Sequence, residues 1–146
     1  MSQAWMVRAG EGGLAIDGFS RGFVAIGWRE MGDLSSAATR EAIRDLYLQT
    51  YPGAKAGTAG GAISMIFNFR RVMRAGDKVV SYNPQNREYL VGTIVGDYFY
   101  DPSQIPHYPN LRKATWEGHV DRDRLPVSSR NSLARPPTVF ALNDEV

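Results

Sequence analysis

Trp28 and Asp33 lie five positions apart, just after an apolar segment, and their side chains could act together. Trp28 ends the apolar run 23–28, and a polar turn follows it. A tryptophan in this position can place one ring face on the core and the other on a cleft, where stacking of a base contributes about 1–3 kcal/mol. Asp33 could accept a hydrogen bond from the exocyclic amino group of cytosine or adenine. The same carboxylate would suit a helix N-terminus equally well.

The residue patterns of the common catalytic and metal centres do not occur in this sequence. With two histidines, His107 and His119, and no cysteine, a zinc site would need an unusual set of ligands. The glycine-rich segment 53–61 lacks the Gly-Lys-Ser/Thr ending of a phosphate-binding loop. No acidic residues with a lysine at strand spacing indicate a nuclease centre. We therefore predict a non-catalytic binding domain with no metal and no cofactor.

Arginine accounts for 14 of the 17 basic residues, although the formal net charge is only +2. Its planar guanidinium group suits bidentate contacts with phosphates and base edges. An arginine bias is also common in proteins from GC-rich genomes. Arg70, Arg71 and Arg74 on a predicted helix, together with Lys55, are candidates for phosphate contacts. A solvated helix face would have the same composition.

Hydrophobic patterning predicts a single α+β domain over residues 1–146. Strands are expected at 4–9, 23–28, 78–82, 89–100, 115–120 and 138–142, and helices at 37–51, after a serine N-cap, and 62–74. Segment 53–61 is expected to be flexible and without a core residue, and the proline-rich stretches 102–109 and 126–137 to be loops. Short links between the later strands favour a mostly antiparallel sheet, curled into a barrel and flanked by two or three helices.

Nothing in the sequence indicates export or membrane insertion. The first residues lack a signal-peptide pattern, and no apolar run approaches the ~20 residues of a membrane span. Without cysteine the chain has no need of an oxidising compartment. We expect a cytoplasmic protein with no membrane partner.

The order of several short motifs resembles that of the EVE domain, a relative of the YTH and PUA folds. These motifs are the segments 5–10 (WMVRAG), 24–28 (VAIGW), 73–77 (MRAGD), 80–82 (VSY) and 90–95 (LVGTIV). The resemblance covers roughly residues 4–120. The opening segments are most similar to domains found N-terminal to Mrr-like restriction nucleases.

The resemblance implies a reader of modified DNA bases, such as methylated or hydroxymethylated cytosine, that acts by base flipping. Flipping costs a few kcal/mol of unstacking, which an aromatic pocket and base-edge hydrogen bonds can offset. By position, Trp28 corresponds to the tryptophan of the family's aromatic cage. The other implied pocket residues are Ala9, Gly10, Asn68, Ser81 and Tyr82. Arg8 and Arg29 border them as implied contacts with the nucleic-acid backbone.

Two departures from the family pattern leave the ligand open. Arg29-Glu30 stands where the family has Arg-Asn, and Asn83-Pro84 where it has His-Ser. The leading hypothesis is a specificity domain for double-stranded DNA, linked covalently to a nuclease domain beyond Val146. A pocket for a splayed base would serve modified RNA as well.

A third hypothesis is a small enzyme or a protein–protein adaptor that uses the same cleft. An enzyme would need a titratable pair, which only Asp33 with Arg8 or His119 could supply.

Overall fold

The computed structural model describes residues 3–10, 13–135 and 137–142. Within these ranges the strands are β1 (Ala4–Val7), β2 (Phe23–Ile26), β3 (Lys78–Asn83), β4 (Glu88–Ile94), β5 (Phe99–Tyr100), β6 (Asn110–Asp121) and β7 (Val139–Leu142). The α-helices in the same ranges are α1 (Ile16–Ser20), α2 (Arg40–Thr50), α3 (Ala56–Phe67) and α4 (Val127–Leu133).

All seven strands belong to one curled sheet that forms a half-barrel. Its strand order is β2-β6-β4-β3-β1-β7, with β5 paired to β6. The β1–β3 pair is parallel and the other pairs are antiparallel. The predicted α+β class and curled, mostly antiparallel sheet are confirmed. The four helices of the described ranges exceed the two or three predicted.

Strand β6 is the long element that connects the two parts of the sheet. Its first residues pair with β2, from Ile26↔Asn110 to Phe23↔Lys113, whereas its later residues pair with β4. A register shift between Val91 and Gly92 interrupts the β4–β6 pairing, and such a bulge bends the strand. Because β6 starts beside the end of β2, the loop before β6 meets the residues that follow β2.

The sheet separates two apolar clusters because successive side chains of a strand point to opposite faces. Trp5 and Val7 of β1 lie in the larger cluster, which also includes Phe19 of α1 and Ile66 of α3. Met6 lies in the smaller cluster on the other face, under α4.

Two segments predicted to lack regular structure are helical. Segment 53–61 was predicted to be flexible, but α3 begins at Ala56 and buries Ala59. Segment 126–137 was predicted to be a loop, but it contains α4, whose Leu133 is buried. In both cases burial of an apolar side chain overrides a local composition that disfavours helix.

Several other elements differ from the predictions. Helix α1 was not predicted, and the strand expected at 115–120 begins at Asn110, because the start of β6 pairs with β2. The N-cap of α2 is Thr39, whose hydroxyl accepts a hydrogen bond from the amide of Ala42 at 3.1 Å, and not a serine. The helix predicted over 62–74 leaves α-helical geometry after Phe67 and continues as a π-helical turn, Asn68–Val72. The single strand predicted over 89–100 is divided into β4 and β5.

Candidate functional site

A cleft of about 300 Å³ lies where the chain leaves β2, opposite the loop that precedes β6. We call it the Trp28 cleft; its lining consists of Gly27, Trp28, Arg29, Glu30, His107 and Tyr108. Trp28 is half-buried and packs against the larger core cluster. It therefore sits at the boundary between core and cleft, as its position after an apolar strand predicts.

The backbone of this cleft is strained at two residues. Trp28 has φ 56° and His107 has φ 70°, and Arg87 is the only other non-glycine residue of the described ranges with positive φ. The left-handed region is unfavourable for bulky side chains and is found preferentially at functional sites. Because both left-handed residues line one cleft, contacts with the surrounding structure must stabilise their unfavourable backbone conformations.

Short polar contacts connect the two walls of the cleft. The guanidinium group of Arg29 contacts Nδ1 of His107. The Nε atom of Arg29 lies 3.5 Å from the carboxylate of Glu30. Tyr51 donates a hydrogen bond of 2.6 Å to Glu30, which lowers the pKa of that carboxyl. Glu30 is therefore a negatively charged acceptor at neutral pH.

A second pocket, of about 230 Å³, lies at the end of β1. Its lining consists of Arg8, Ala9, Gly10, Gly13, Tyr82 and Pro84. Gly10 has φ +75°, and a Cβ there would overlap the hydroxyl of Tyr108 and lie 2.8 Å from its Cζ. Since Tyr108 also lines the Trp28 cleft, the two cavities adjoin at the contact between Gly10 and Tyr108. The structure thus places Arg8, Ala9, Gly10 and Tyr82 together, in a pocket that meets the Trp28 cleft at Tyr108.

Asp33 has a different environment from the one expected of a base-binding residue. Its Oδ1 accepts hydrogen bonds from the amide and the hydroxyl of Ser35, at 2.9 and 2.6 Å. These bonds lower the pKa of the carboxyl. Asp33 therefore caps a local turn and is not the N-cap of α2. Nor does it pair with Arg8 or His119 in the described ranges: His119 lies 3.3 Å from Glu88, and Arg8 donates to the carbonyl oxygens of Arg135 and Pro137.

The predicted helix arginines lie together in a third and larger cavity, of about 740 Å³. We call it the arginine cavity; its lining consists of Arg70, Arg71, Val72, Met73, Arg74, Asp97, Tyr98 and Arg112. Arg112 is only 2% exposed, and burial lowers its pKa to about 10. Its guanidinium group donates to the carbonyl oxygens of Phe69, Gly96 and Arg70 at 2.7, 3.0 and 3.1 Å.

Besides Asp33, three predicted site residues lie outside the linings of these cavities. Asn68 starts the π-helical turn, where its carbonyl accepts a hydrogen bond from Met73. Ser81 is completely buried in β3, and its hydroxyl has no hydrogen-bond partner among the described residues. Lys55 is the exposed N-cap residue of α3.

Four residues that line these cavities were not predicted as site residues from the sequence: His107, Tyr108, Tyr98 and Arg112. Tyr108 and His107 belong to a proline-rich loop without periodicity, so no local signal marks them. Arg112 had no usable local signal either. It stands next to a second basic residue, Lys113, and the sequence does not show which of the two side chains is buried.

The described ranges contain no group of three or more potential ligand side chains that could hold a metal ion. Of the helices in the same ranges, none combines the length and the apolar character that crossing a bilayer requires.

Comparison with protein families gives one match. The family described as "Domain of unknown function (DUF8426)" matches residues 5–143, so the chain belongs to this family. No curated protein and no solved structure is significantly similar to the chain.

Proposed function

We propose that this protein is a non-catalytic nucleic-acid-binding domain that holds one flipped nucleobase in the Trp28 cleft. The observation that carries the proposal is the pair of left-handed residues, Trp28 and His107, that face each other across a cleft lined by aromatic rings. Such strained backbone is typical of binding and catalytic sites. The preferred ligand is a methylated or hydroxymethylated cytosine in double-stranded DNA.

Stacking supplies the first part of the binding energy in this proposal. Trp28 and Tyr108 line the cleft, and Tyr82 lies in the adjoining pocket. Each ring on which a base stacks contributes about 1–3 kcal/mol, which is comparable with the cost of flipping one base. Gly10 lets the end of β1 approach Tyr108 closely, so the pocket that contains Tyr82 adjoins the cleft at this contact.

Recognition of the base edge is assigned to Glu30 in place of Asp33. A carboxylate can accept a hydrogen bond from the exocyclic amino group of cytosine, and Glu30 lines the cleft in its ionised form. Asp33 does not line the cleft. Glu30 already accepts from Tyr51 and lies beside Arg29, but a carboxylate can accept about four hydrogen bonds, so it can also bind the amino group. Arg29, at the same cleft, is the nearest candidate for contact with the flanking phosphate.

In this proposal the domain is the specificity part of a modification-dependent restriction protein. A covalently linked nuclease would cleave the DNA, and both would act in the cytoplasm. A flipped base from modified RNA would meet the same cleft, so the choice between the polymers is left to experiment.

Binding to matched oligonucleotides tests the proposal. Affinities would be measured by fluorescence anisotropy for duplexes with 5-methylcytosine, 5-hydroxymethylcytosine or plain cytosine, and for single-stranded RNA with and without 5-methylcytosine. One additional methyl group in a fitted apolar site favours binding about tenfold or more, so a modified duplex is expected to bind best by that factor. Equal affinity for all duplexes would contradict the proposal, and preference for the modified RNA would transfer it to RNA.

The role of Glu30 has its own test. Glu30→Ala is expected to reduce discrimination between cytosine and thymine at the flipped position by about tenfold, because the acceptor for the amino group is lost. Glu41→Ala, which removes an exposed carboxylate on α2, is the matched control and should leave discrimination unchanged. Equal discrimination in both variants would exclude Glu30 from base recognition.

A further inference from the structure

We infer that the arginine cavity is a phosphate-binding site. The inference rests on the proposed function only for the source of the phosphate, which would be the nucleic acid whose base occupies the Trp28 cleft. The site itself is argued from the charge, burial and hydrogen bonds of its own residues.

The lining of the cavity carries an excess of positive charge. It contains four arginines and one carboxylate, Asp97, so its net charge is +3. Asp33 and Asp77, outside the lining, offset part of this charge through their interactions with Arg70 and Arg112. Within the described ranges none of these four arginines forms a salt bridge. Unpaired cations that converge on one concave surface repel each other, and an anion placed among them relieves that repulsion.

Arg112 is a fixed donor at the base of this arrangement. A guanidinium group has five N–H donors in a planar fork. Three of them bond to the carbonyl oxygens of Phe69, Arg70 and Gly96, which leaves two for a ligand. Although burial lowers its pKa to about 10, Arg112 is protonated at neutral pH. All three hydrogen bonds of Arg112 go to neutral carbonyl groups. Within the described ranges its only interactions with carboxylates are the longer-range ones with Asp97 and Asp77, so it has no direct ion pair that an anion would have to displace.

The π-helical turn Asn68–Val72 gives the cavity its shape. Widening of this turn directs the carbonyl groups of Phe69 and Arg70 to Arg112, and π-helical turns are frequent at functional sites. Arg70 donates hydrogen bonds of 2.8 and 2.9 Å to the carbonyl oxygens of Leu34 and Ser35. Its Cζ atom lies over the ring of Tyr98, 4.8 Å from the ring centroid. Two of the four arginines are thus preorganised by the fold.

Arg71 and Arg74 complete the site at its rim. Both are exposed, and the described part of the chain gives their side chains no hydrogen bond or salt bridge. They can therefore close on a ligand without breaking existing contacts. Arginine binds phosphate by two parallel N–H···O bonds, and several arginines around one tetrahedral anion satisfy its oxygens.

The position of the cavity fits a phosphate of the same nucleic-acid strand. Tyr108 of the Trp28 cleft and Arg112 are four residues apart, so their Cα atoms are separated by at most about 14 Å. The segment from Trp28 to Ser35 connects the same two regions, because Arg70 binds the carbonyl groups of Leu34 and Ser35. A phosphodiester a few nucleotides from the flipped base would reach the cavity.

The test uses phosphate without bases. An abasic oligodeoxynucleotide and inorganic phosphate would be titrated into the full chain, with calorimetry and the arginine Nε–H NMR signals as readouts. Arg71→Ala with Arg74→Ala is expected to weaken binding of the abasic oligonucleotide about tenfold, since hydrogen bonds to charged groups are lost. The matched control is Arg44→Ala with Arg124→Ala, which removes two exposed arginines elsewhere and should change affinity less than about twofold.

The possible outcomes separate this inference from the proposed function. Equal losses in the two double variants, or no binding of either phosphate probe, would overturn the inference. Failure of the unmodified protein to prefer any modified base, together with abasic binding that depends on Arg71 and Arg74, would contradict the proposed function and leave the phosphate site standing. Binding of inorganic phosphate alone, with a shift of the Arg112 signal, would support the site and assign it to a small phosphate ligand.

Discussion

The Trp28 cleft and the arginine cavity are held in place by different means. In the cleft, Trp28, just before a 3₁₀ turn, and His107, within the loop between β5 and β6, adopt left-handed backbone conformations. In the cavity, a buried Arg112 is fixed by three backbone carbonyl groups. The cleft therefore has a strained backbone and half-exposed side chains, whereas the cavity includes a residue on which the fold itself depends.

Because of this difference, substitutions in the Trp28 cleft should change mainly binding, whereas substitution of the buried arginine in the cavity should change mainly stability. Where the backbone is strained for a ligand, a change can weaken binding while the fold is unaffected or even stabilised. Where a buried side chain satisfies several carbonyl groups, its loss destabilises the whole domain.

Arg112→Leu is expected to have the largest effect on stability. Three carbonyl groups lose their donor, and two of them belong to the π-helical turn, so the free energy of unfolding should fall by about 3–5 kcal/mol. Urea denaturation followed by circular dichroism measures the change. Arg71→Ala, an exposed neighbour in the same cavity, should stay within about 0.5 kcal/mol of the unmodified protein. A loss below about 1 kcal/mol in Arg112→Leu would show that Arg112 does not support the fold.

Gly10→Ala is expected to have an intermediate effect that combines stability and binding. Its φ of +75° is unfavourable for alanine, and the new Cβ would overlap the Tyr108 hydroxyl. The strained backbone and the overlap together should lower the free energy of unfolding by about 2–3 kcal/mol and displace the ring of Tyr108 in the Trp28 cleft. Gly53→Ala, where no atom lies within 4 Å of the added Cβ and φ is not positive, is the matched control. If both glycine variants unfold at the same urea concentration, the close approach of Gly10 to Tyr108 has no structural importance.

His107→Gly should give the smallest change, and one of opposite sign. Glycine adopts the φ of 70° without strain, so relief of strain should exceed the added freedom of the unfolded chain by about 0.5 kcal/mol. Base-specific binding should weaken at the same time, because Arg29 loses its contact across the cleft. Thermal unfolding and anisotropy on one preparation measure both effects. A lower melting temperature would contradict the assignment of strain to His107.

The sequence predicted the elements whose apolar patterns are local. The runs that form β1, β2, β3 and β7 have strand length, and Ile43 and Tyr47 mark the buried face of α2. The start of α3 was missed because glycine and alanine give no amphipathic pattern there. In α4, the flanking prolines obscured a short helix with a single buried leucine.

The candidate site was predictable only in part, for a similar reason. Trp28 could be singled out because its position depends on β2 alone. Tyr108 and Arg112 become neighbours of the site through pairing of β6 with β2 and through the π-helical turn. These are contacts between residues distant in the chain, and no local pattern encodes them. The hydrogen bond from the hydroxyl of Ser35 to Asp33, two positions earlier, was not predicted either.

The most direct test of the central claim compares Trp28→Ala with Trp116→Ala on one duplex that contains a single 5-methylcytosine. Both tryptophans are half-buried and pack against the larger core cluster, but only Trp28 lines the cleft. Trp28→Ala loses one stacking ring, so its affinity should be about tenfold or more below that of the unmodified protein. Trp116→Ala should retain binding. Circular dichroism should show that both variants are folded. Undiminished binding of the modified duplex by a folded Trp28→Ala protein would contradict the account.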